Sequence, residues 1–221
     1  MLRVGLTGDL GSGKSTVARM LATRGAVVLS SDEIGRALMQ PGQAVYAEIV
    51  GAFGEGIVAG DGSIDRRRLA GMAFDPAAPR VEELNAIVHP AVIEEQARQF
   101  EELGKESPHA IAVVESALIF STVQTTGAHW SQRFDRIVLV EAAESLKIAR
   151  FVARVAAGRR MSAGAIAAIE ADARGRLAVQ YATSHAADCM VVHNDGGLED
   201  LEVQVDAVWR NLKQLELEDT E

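Results

Sequence analysis

Five short apolar runs punctuate the chain: Val4–Leu6, which closes a largely apolar stretch starting at Leu2, then Val27–Leu29, Ile111–Val114, Ile137–Val140 and Met190–Val192. Each is too short for a buried helix and reads as a buried strand. Between them the apolar positions recur at helical spacing. In Ser15–Arg24, for example, Val17, Met20 and Leu21 share one face. Short strands alternating with long helical segments predict an α/β fold with a five-stranded parallel sheet flanked by helices. Two stretches hold more helix than a crossover needs. Residues 65–105 are helical in pattern, with a break expected at His89-Pro90, and a second excess covers residues 142–187. Gly54–Ser63 reads as turns. These features divide a single domain, residues 1–221, into a core (1–53, 107–141 and 188–215), a helical insertion (54–106) and a lid region (142–187). The polar tail after Lys213 is expected to fray.

Chemistry enters at the first strand-to-helix junction. Gly8-Asp9-Leu10-Gly11-Ser12-Gly13-Lys14-Ser15-Thr16 fits the phosphate-binding P-loop pattern G-x-x-x-x-G-K-[ST]. The context fits as well, with a strand before it and a helix after it. Glycines let backbone N–H groups turn inward, and the N-terminal end of the helix dipole faces the phosphates. Lys14 is placed to reach the β- and γ-phosphates, and the Ser15 hydroxyl to ligate magnesium.

Composition narrows the partners. The chain has 221 residues and a formal net charge of −9, and it lacks the basic surface that nucleic-acid binding requires. No apolar run approaches the roughly 20 residues of a membrane helix. The first strand begins at once, so no signal peptide is expected. Cys189 is the only cysteine, so no intramolecular disulfide forms, and a reducing cytoplasm is the expected location. At a strand start, Cys189 is expected to be buried and inert. A monomer is the default expectation.

In open parallel sheets, ligands lie beyond the carboxyl ends of the strands. Two acids occupy such positions: Asp32 just past the second strand and Glu115 just past the third. A phosphotransferase needs a carboxylate to orient the attacking hydroxyl and accept its proton. Asp32 suits that role; it also suits an N-cap for a helix starting at Glu33. Glu115 either supports magnesium through water or contacts a basic side chain. The lid carries Arg150, Arg154, Arg159 and Arg160. They serve either the charge of a transferring phosphoryl group or a solvated helix face paired with Glu144 and Glu170.

Several blocks together resemble one family, the dephospho-CoA kinases. The blocks are the P-loop; Ser31-Asp32-Glu33-Ile34-Gly35-Arg36 followed by Gln40-Pro41-Gly42; Asp61-Gly62-Ser63-Ile64-Asp65-Arg66 with Leu69; Leu84-Asn85-Ala86-Ile87-Val88-His89-Pro90; and His193-Asn194-Asp195-Gly196. The resemblance covers nearly the whole chain and implies a P-loop kinase fold. It implies transfer of the γ-phosphoryl group of ATP, with Mg2+, to the ribose 3′-hydroxyl of dephospho-CoA, giving coenzyme A and ADP. Gly8, Gly11, Ser12, Gly13, Lys14, Ser15 and Thr16 would hold ATP, with Ser15 on the metal and Asn194 near the adenine. Lys14, Asp32 and Arg154 would be catalytic. The insertion would bind the acceptor, with Arg66 and His89 as contacts beside Asp32 and Glu115.

The chain departs from the family pattern in three places. Asp9 stands where glycine is usual, and a carboxylate beside a triphosphate repels it unless it points away. Weaker or slower use of ATP is therefore expected. The block after the third strand, Glu115-Ser116-Ala117-Leu118-Ile119-Phe120-Ser121, lacks the usual proline and second acid. Arg176 and Gln180 resemble a lid R-x-x-x-Q pair, but the lid before them is longer than usual and a common lysine is absent. Two other functions remain open on sequence: another small-molecule P-loop kinase, or a degenerate member that binds nucleotide without turnover.

Overall fold

The computed structural model describes residues 1–121, 129–178 and 186–218. The five predicted strands form: β1 (Leu2–Thr7), β2 (Val27–Ser30), β3 (Ile111–Glu115), β4 (Arg136–Glu141) and β5 (Met190–His193). They pair in the order β2-β3-β1-β4-β5, every pair parallel. The chain leaves β1 for one side of the sheet through α1 (Lys14–Thr23) and later reaches the other side at β4, so β1 borders the topological switch point where such sheets bind ligands. Register aligns Leu6 of β1 and Ser30 of β2 with Glu115 of β3. The P-loop, the segment leading to Asp32, and Glu115 therefore leave neighbouring strands at one level.

One face of the sheet is closed by α1 and the C-terminal helix α8 (Leu198–Glu218) around Leu6, Val17, Leu21, Val113 and Val205. The other face packs Ala112, Val114, Ile119 and Ile137 under Phe100 and Phe134, whose rings meet edge to face. Phe100 belongs to α5 (Val81–Glu106).

Between β2 and β3 the chain forms α2 (Ser31–Leu38), α3 (Ala44–Phe53), α4 (Arg66–Ala73) and α5. The last three share a separate apolar cluster, with Val45, Ile49, Phe53, Leu69 and Ala73 fully buried. That cluster reaches back to Val45, ahead of the expected insertion boundary at residue 54. The Gly54–Ser63 turns hold a short 3-10 helix, Glu55–Ile57, and an isolated bridge from Val58 to Ile64.

The break expected at His89-Pro90 does not occur, and α5 continues through Pro90. Pro90 is exposed while the opposite face of α5 is held against α2 and α3, and that packing offsets the missing N–H. The fraying expected after Lys213 is also absent as far as Glu218. Leu215 packs against the core there, and buried Glu216 lies against His109, its Oε1 3.0 Å from Nδ1. The lid region forms α6 (Glu144–Ala156) and α7 (Ala163–Ala178), which enclose Ile148, Phe151 and Ala173. Gln180 lies outside the described residues. No helix among the described residues is long and apolar enough to cross a membrane.

Candidate active site

The P-loop leaves β1 at Gly8 and enters α1 at Gly13, which takes φ +101, a backbone conformation open to glycine. A side chain at Gly13 would also strike the Asn194 amide. Helix α1 starts without a side-chain cap and without an acid in its first turn. Its leading N–H groups and dipole are therefore available to an anion. Lys14 Nζ donates to the carbonyls of Gly8 at 2.7 Å and Asp9 at 3.1 Å, so the lysine arches over the loop. Burial pulls its pKa down, while Glu115, Asp9 and Asp32 pull the other way. Ser12 is fully buried. Thr16, in the first turn, accepts from Arg19 at 3.4 Å.

Ser15 Oγ donates to Glu115 Oε1 at 2.7 Å. Glu115, expected among the acceptor contacts, therefore stands on the P-loop side, and it does not line the cavity between α2 and α5. Asp32 is not a helix cap. Ser30 caps α2, its Oγ accepting from Glu33 N, and Asp32 lies in the first turn with its carboxylate exposed. That removes the structural alternative for Asp32.

Two cavities meet at Asp32. One, of about 510 Å³, lies over Lys14, Ser15 and Glu115 and is bordered by Arg154. The other, of about 480 Å³, lies between α2 and α5 and is walled by Val88, Val92 and Ile93, with Arg66, His89 and Arg133 at its rim. Asp32, Arg36, Ser116 and Ala117 line both. Arg66 and His89, both expected as acceptor contacts, line this one cavity. Burial, and then the Arg133 charge, holds the His89 imidazole below its ordinary pKa. Burial pulls the Arg133 guanidinium down to about 10. Buried Gln96 donates from Nε2 to Ser31 Oγ at 2.8 Å, fixing α5 to the start of α2.

Sequence reasoning gave no role to Arg36 or Arg133. Arg36 had a usable signal, since it falls one helical turn after Asp32. Arg133 belongs to no motif and reaches the cavity through tertiary packing alone.

The lid arginines separate by role. Arg150 NH2 donates to the Asn194 backbone oxygen at 2.9 Å, and Arg176 pairs with Asp172 and stacks over Phe151. Arg174 approaches Glu144 at 3.8 Å. Arg159 and Arg160 are exposed. Arg154 alone of the expected lid arginines borders the P-loop cavity. Asn194, expected near the adenine, is instead buried. Its Nδ2 donates to the Ser12 carbonyl at 2.8 Å, and its Oδ1 lies 3.3 Å from Arg150 NH2, so its amide is spent beneath the P-loop.

The repulsion expected from Asp9 is offset by a cation. Its carboxylate turns away from the phosphate cradle and accepts from Lys147 Nζ at 2.7 Å. Burial, with Asp188 and Glu141, pushes the Cys189 thiol up to about 11, so little of it is thiolate near neutrality. Among the described residues no group of three or more His, Cys, Asp or Glu side chains forms a metal cage.

The same architecture appears in known proteins. A family model described as dephospho-CoA kinase matches residues 2–200. A curated dephospho-CoA kinase of Leifsonia xyli is 36% identical over 214 residues, covering 96% of this chain and 100% of that protein. One of Moorella thermoacetica is 33% identical over 221 residues, covering 100% of this chain and 97% of that protein. A crystal structure from Thermus thermophilus superposes with a TM-score of 0.68 at 30% identity, covering 96% of this chain and 97% of that one.

Proposed function

Because the chain belongs to the dephospho-CoA kinase family, we propose how its residues divide the work of that reaction. The enzyme transfers the γ-phosphoryl group of ATP to the ribose 3′-hydroxyl of dephospho-CoA, giving coenzyme A and ADP. The observation that carries the assignment of roles is the meeting of two cavities at Asp32, one over the P-loop and one in the helical unit.

ATP lies along the P-loop, its phosphates on the backbone N–H groups of Gly11 to Thr16 and the open start of α1. Lys14 exchanges its loop carbonyls for phosphate oxygens. The acceptor nucleoside end enters the cavity between α2 and α5, where Arg66, His89 and Arg133 favour its anionic phosphates and Val88 and Val92 favour its apolar surface. Asp32 takes the proton of the 3′-hydroxyl as that oxygen bonds to the γ-phosphorus and the bridge to the β-phosphate breaks, with the electron pair leaving on ADP. Arg154 faces the charge that builds on the transferring group. Residues 54–106 serve the acceptor and residues 142–187 form the lid.

A hydroxyl and a carboxylate in contact, Ser15 and Glu115, suit a hard divalent cation completed by phosphate and water oxygens. These two residues would hold magnesium, which supplies charge neutralisation on the triphosphate. The Asp9–Lys147 pair speaks against the degenerate alternative, since the carboxylate that would repel ATP is turned aside and answered.

The test is ADP release with ATP and magnesium, offering dephospho-CoA, adenosine, AMP and gluconate in parallel. Release that depends on dephospho-CoA, with coenzyme A confirmed by mass, is expected. Release with gluconate or AMP alone would transfer the chain to another kinase class. Asp32→Asn is expected to lower kcat by about 10²- to 10⁴-fold with ATP affinity retained. An unchanged kcat would remove Asp32 from the proton transfer.

A further inference from the structure

Three consecutive P-loop residues touch α6, and two of them, Leu10 and Gly11, also line the cavity over Lys14 and Ser15. Asp9, only 8% exposed, binds Lys147 Nζ through Oδ2, and its Oδ1 has no partner among the described residues. Leu10 packs into the lid's apolar cluster beside Ile148 and Phe151. Gly11, at φ +74, lies so close to the Lys147 backbone that a Cβ there would strike its carbonyl oxygen.

The helix answers with one face. Lys147, Arg150 and Arg154 fall at i, i+3 and i+7 of α6 and so project to the same side. Lys147 is spent on Asp9, and Arg150 on Asn194, which itself holds the Ser12 carbonyl. Both contacts tie α6 to the P-loop. Arg154, two turns beyond Lys147, is then left over the cavity above Lys14 and Ser15.

We propose that Asp9 and Lys147 are positioning residues of this kinase: their ion pair clamps α6 to the P-loop and thereby holds Arg154 above the transferring phosphoryl group. The proposal rests on the phosphotransfer reading. A pair whose side chains are 9% and 13% exposed is weakly screened by water, so it holds direction well. Losing one member leaves the other charge buried and unanswered. The two ends therefore fail differently. Asp9→Asn loosens α6 without adding charge to the loop. Lys147→Met frees a carboxylate beside the triphosphate and adds repulsion.

The experiment is a double-mutant cycle between Asp9 and Arg154 on the full-length chain, read as kcat and as KM for ATP. Asp9→Asn is expected to lower kcat about ten- to a hundredfold while KM for ATP moves little. In an Arg154→Ala background the same change should cost less than about twofold, because the group it positions is gone. Lys147→Met should raise KM for ATP as well, and Lys147→Arg should recover most of that rise. Hydrogen exchange across residues 144–156 should quicken in Asp9→Asn. Equal losses in both backgrounds, or unaltered exchange along α6, would overturn the clamp. So would a lower KM for ATP with kcat intact in Asp9→Asn. Should Asp9→Asn not fold, Lys147→Arg and Lys147→Met carry the same cycle against Arg154. A wild-type chain that transfers nothing to dephospho-CoA would fail the reaction itself, and exchange would then judge the clamp separately.

Discussion

Asn194 spends both ends of its amide beneath the P-loop, donating to the Ser12 carbonyl and standing against the Arg150 guanidinium. It is buried, so water cannot replace either partner. Asn194→Ala strands the Ser12 carbonyl and removes a neighbour of Arg150, and is expected to cost about 1–3 kcal/mol in chemical denaturation. Because the Ser12 carbonyl then loosens, kcat/KM for ATP should fall with it; an unchanged midpoint would mean the contact is solvated. The P-loop residues themselves were readable from spacing, since their chemistry is local: backbone N–H groups, one lysine and one hydroxyl within a single turn. The role of Asn194 was not readable, because its partner Ser12 lies 182 positions away. The same holds for Asp9, whose answering charge, Lys147, lies 138 positions on. Charge alone suggested repulsion, and only the folded chain shows the lysine that offsets it.

Helix α2 shows how an element can decide a residue's role. Its cap is Ser30, so Asp32 reaches the first turn with a free carboxylate, and Arg36 follows one turn later at the same cavity junction. In α5 the outcome runs against local preference, for a proline sits inside a helix of 26 residues. An interior proline removes one hydrogen bond and crowds the carbonyl four residues earlier, a cost of about 3 kcal/mol. Pro90→Ala is therefore expected to raise stability by about 1–2 kcal/mol once the looser unfolded chain is counted, as a higher urea midpoint. A lower midpoint would mean that α5 depends on the local geometry Pro90 imposes. Strands and helix periods were legible because each follows from apolar spacing. The continuity of α5 was not, since it comes from packing by Val92 and its neighbours against α2 and the insertion cluster, which no local pattern encodes. The helical end of α8 was hidden for the same reason: within its polar sequence Leu215 packs against the core and Glu216 is buried.

At the scale of the whole chain, the site forms where a sheet, a helical unit with its own apolar cluster and the α6–α7 pair with another converge. Apolar spacing forecast the sheet and the extra helices; the meeting of two cavities at Asp32, with Arg133 lining one, required the assembled structure. That assembly leaves a pH signature through His89, held below its usual pKa of 6.5 first by burial and then by Arg133. In the folded chain His89 binds a proton less readily than in the unfolded chain. Above pH 6.5 both states carry it neutral and the group sets no slope. As pH falls below that value the unfolded chain gains a proton that the folded chain refuses, so stability declines until the folded pKa is passed and then levels. The carboxylates with lowered pKa, Asp61, Glu83, Glu95 and Asp135, titrate beneath this window. Urea unfolding between about pH 5 and pH 7 should therefore show stability falling toward acid, with His89→Gln flattening part of that slope. An identical slope in the variant would mean that His89 titrates as it does in water, and that the cavity between α2 and α5 is wetter than Val88, Val92 and Ile93 make it.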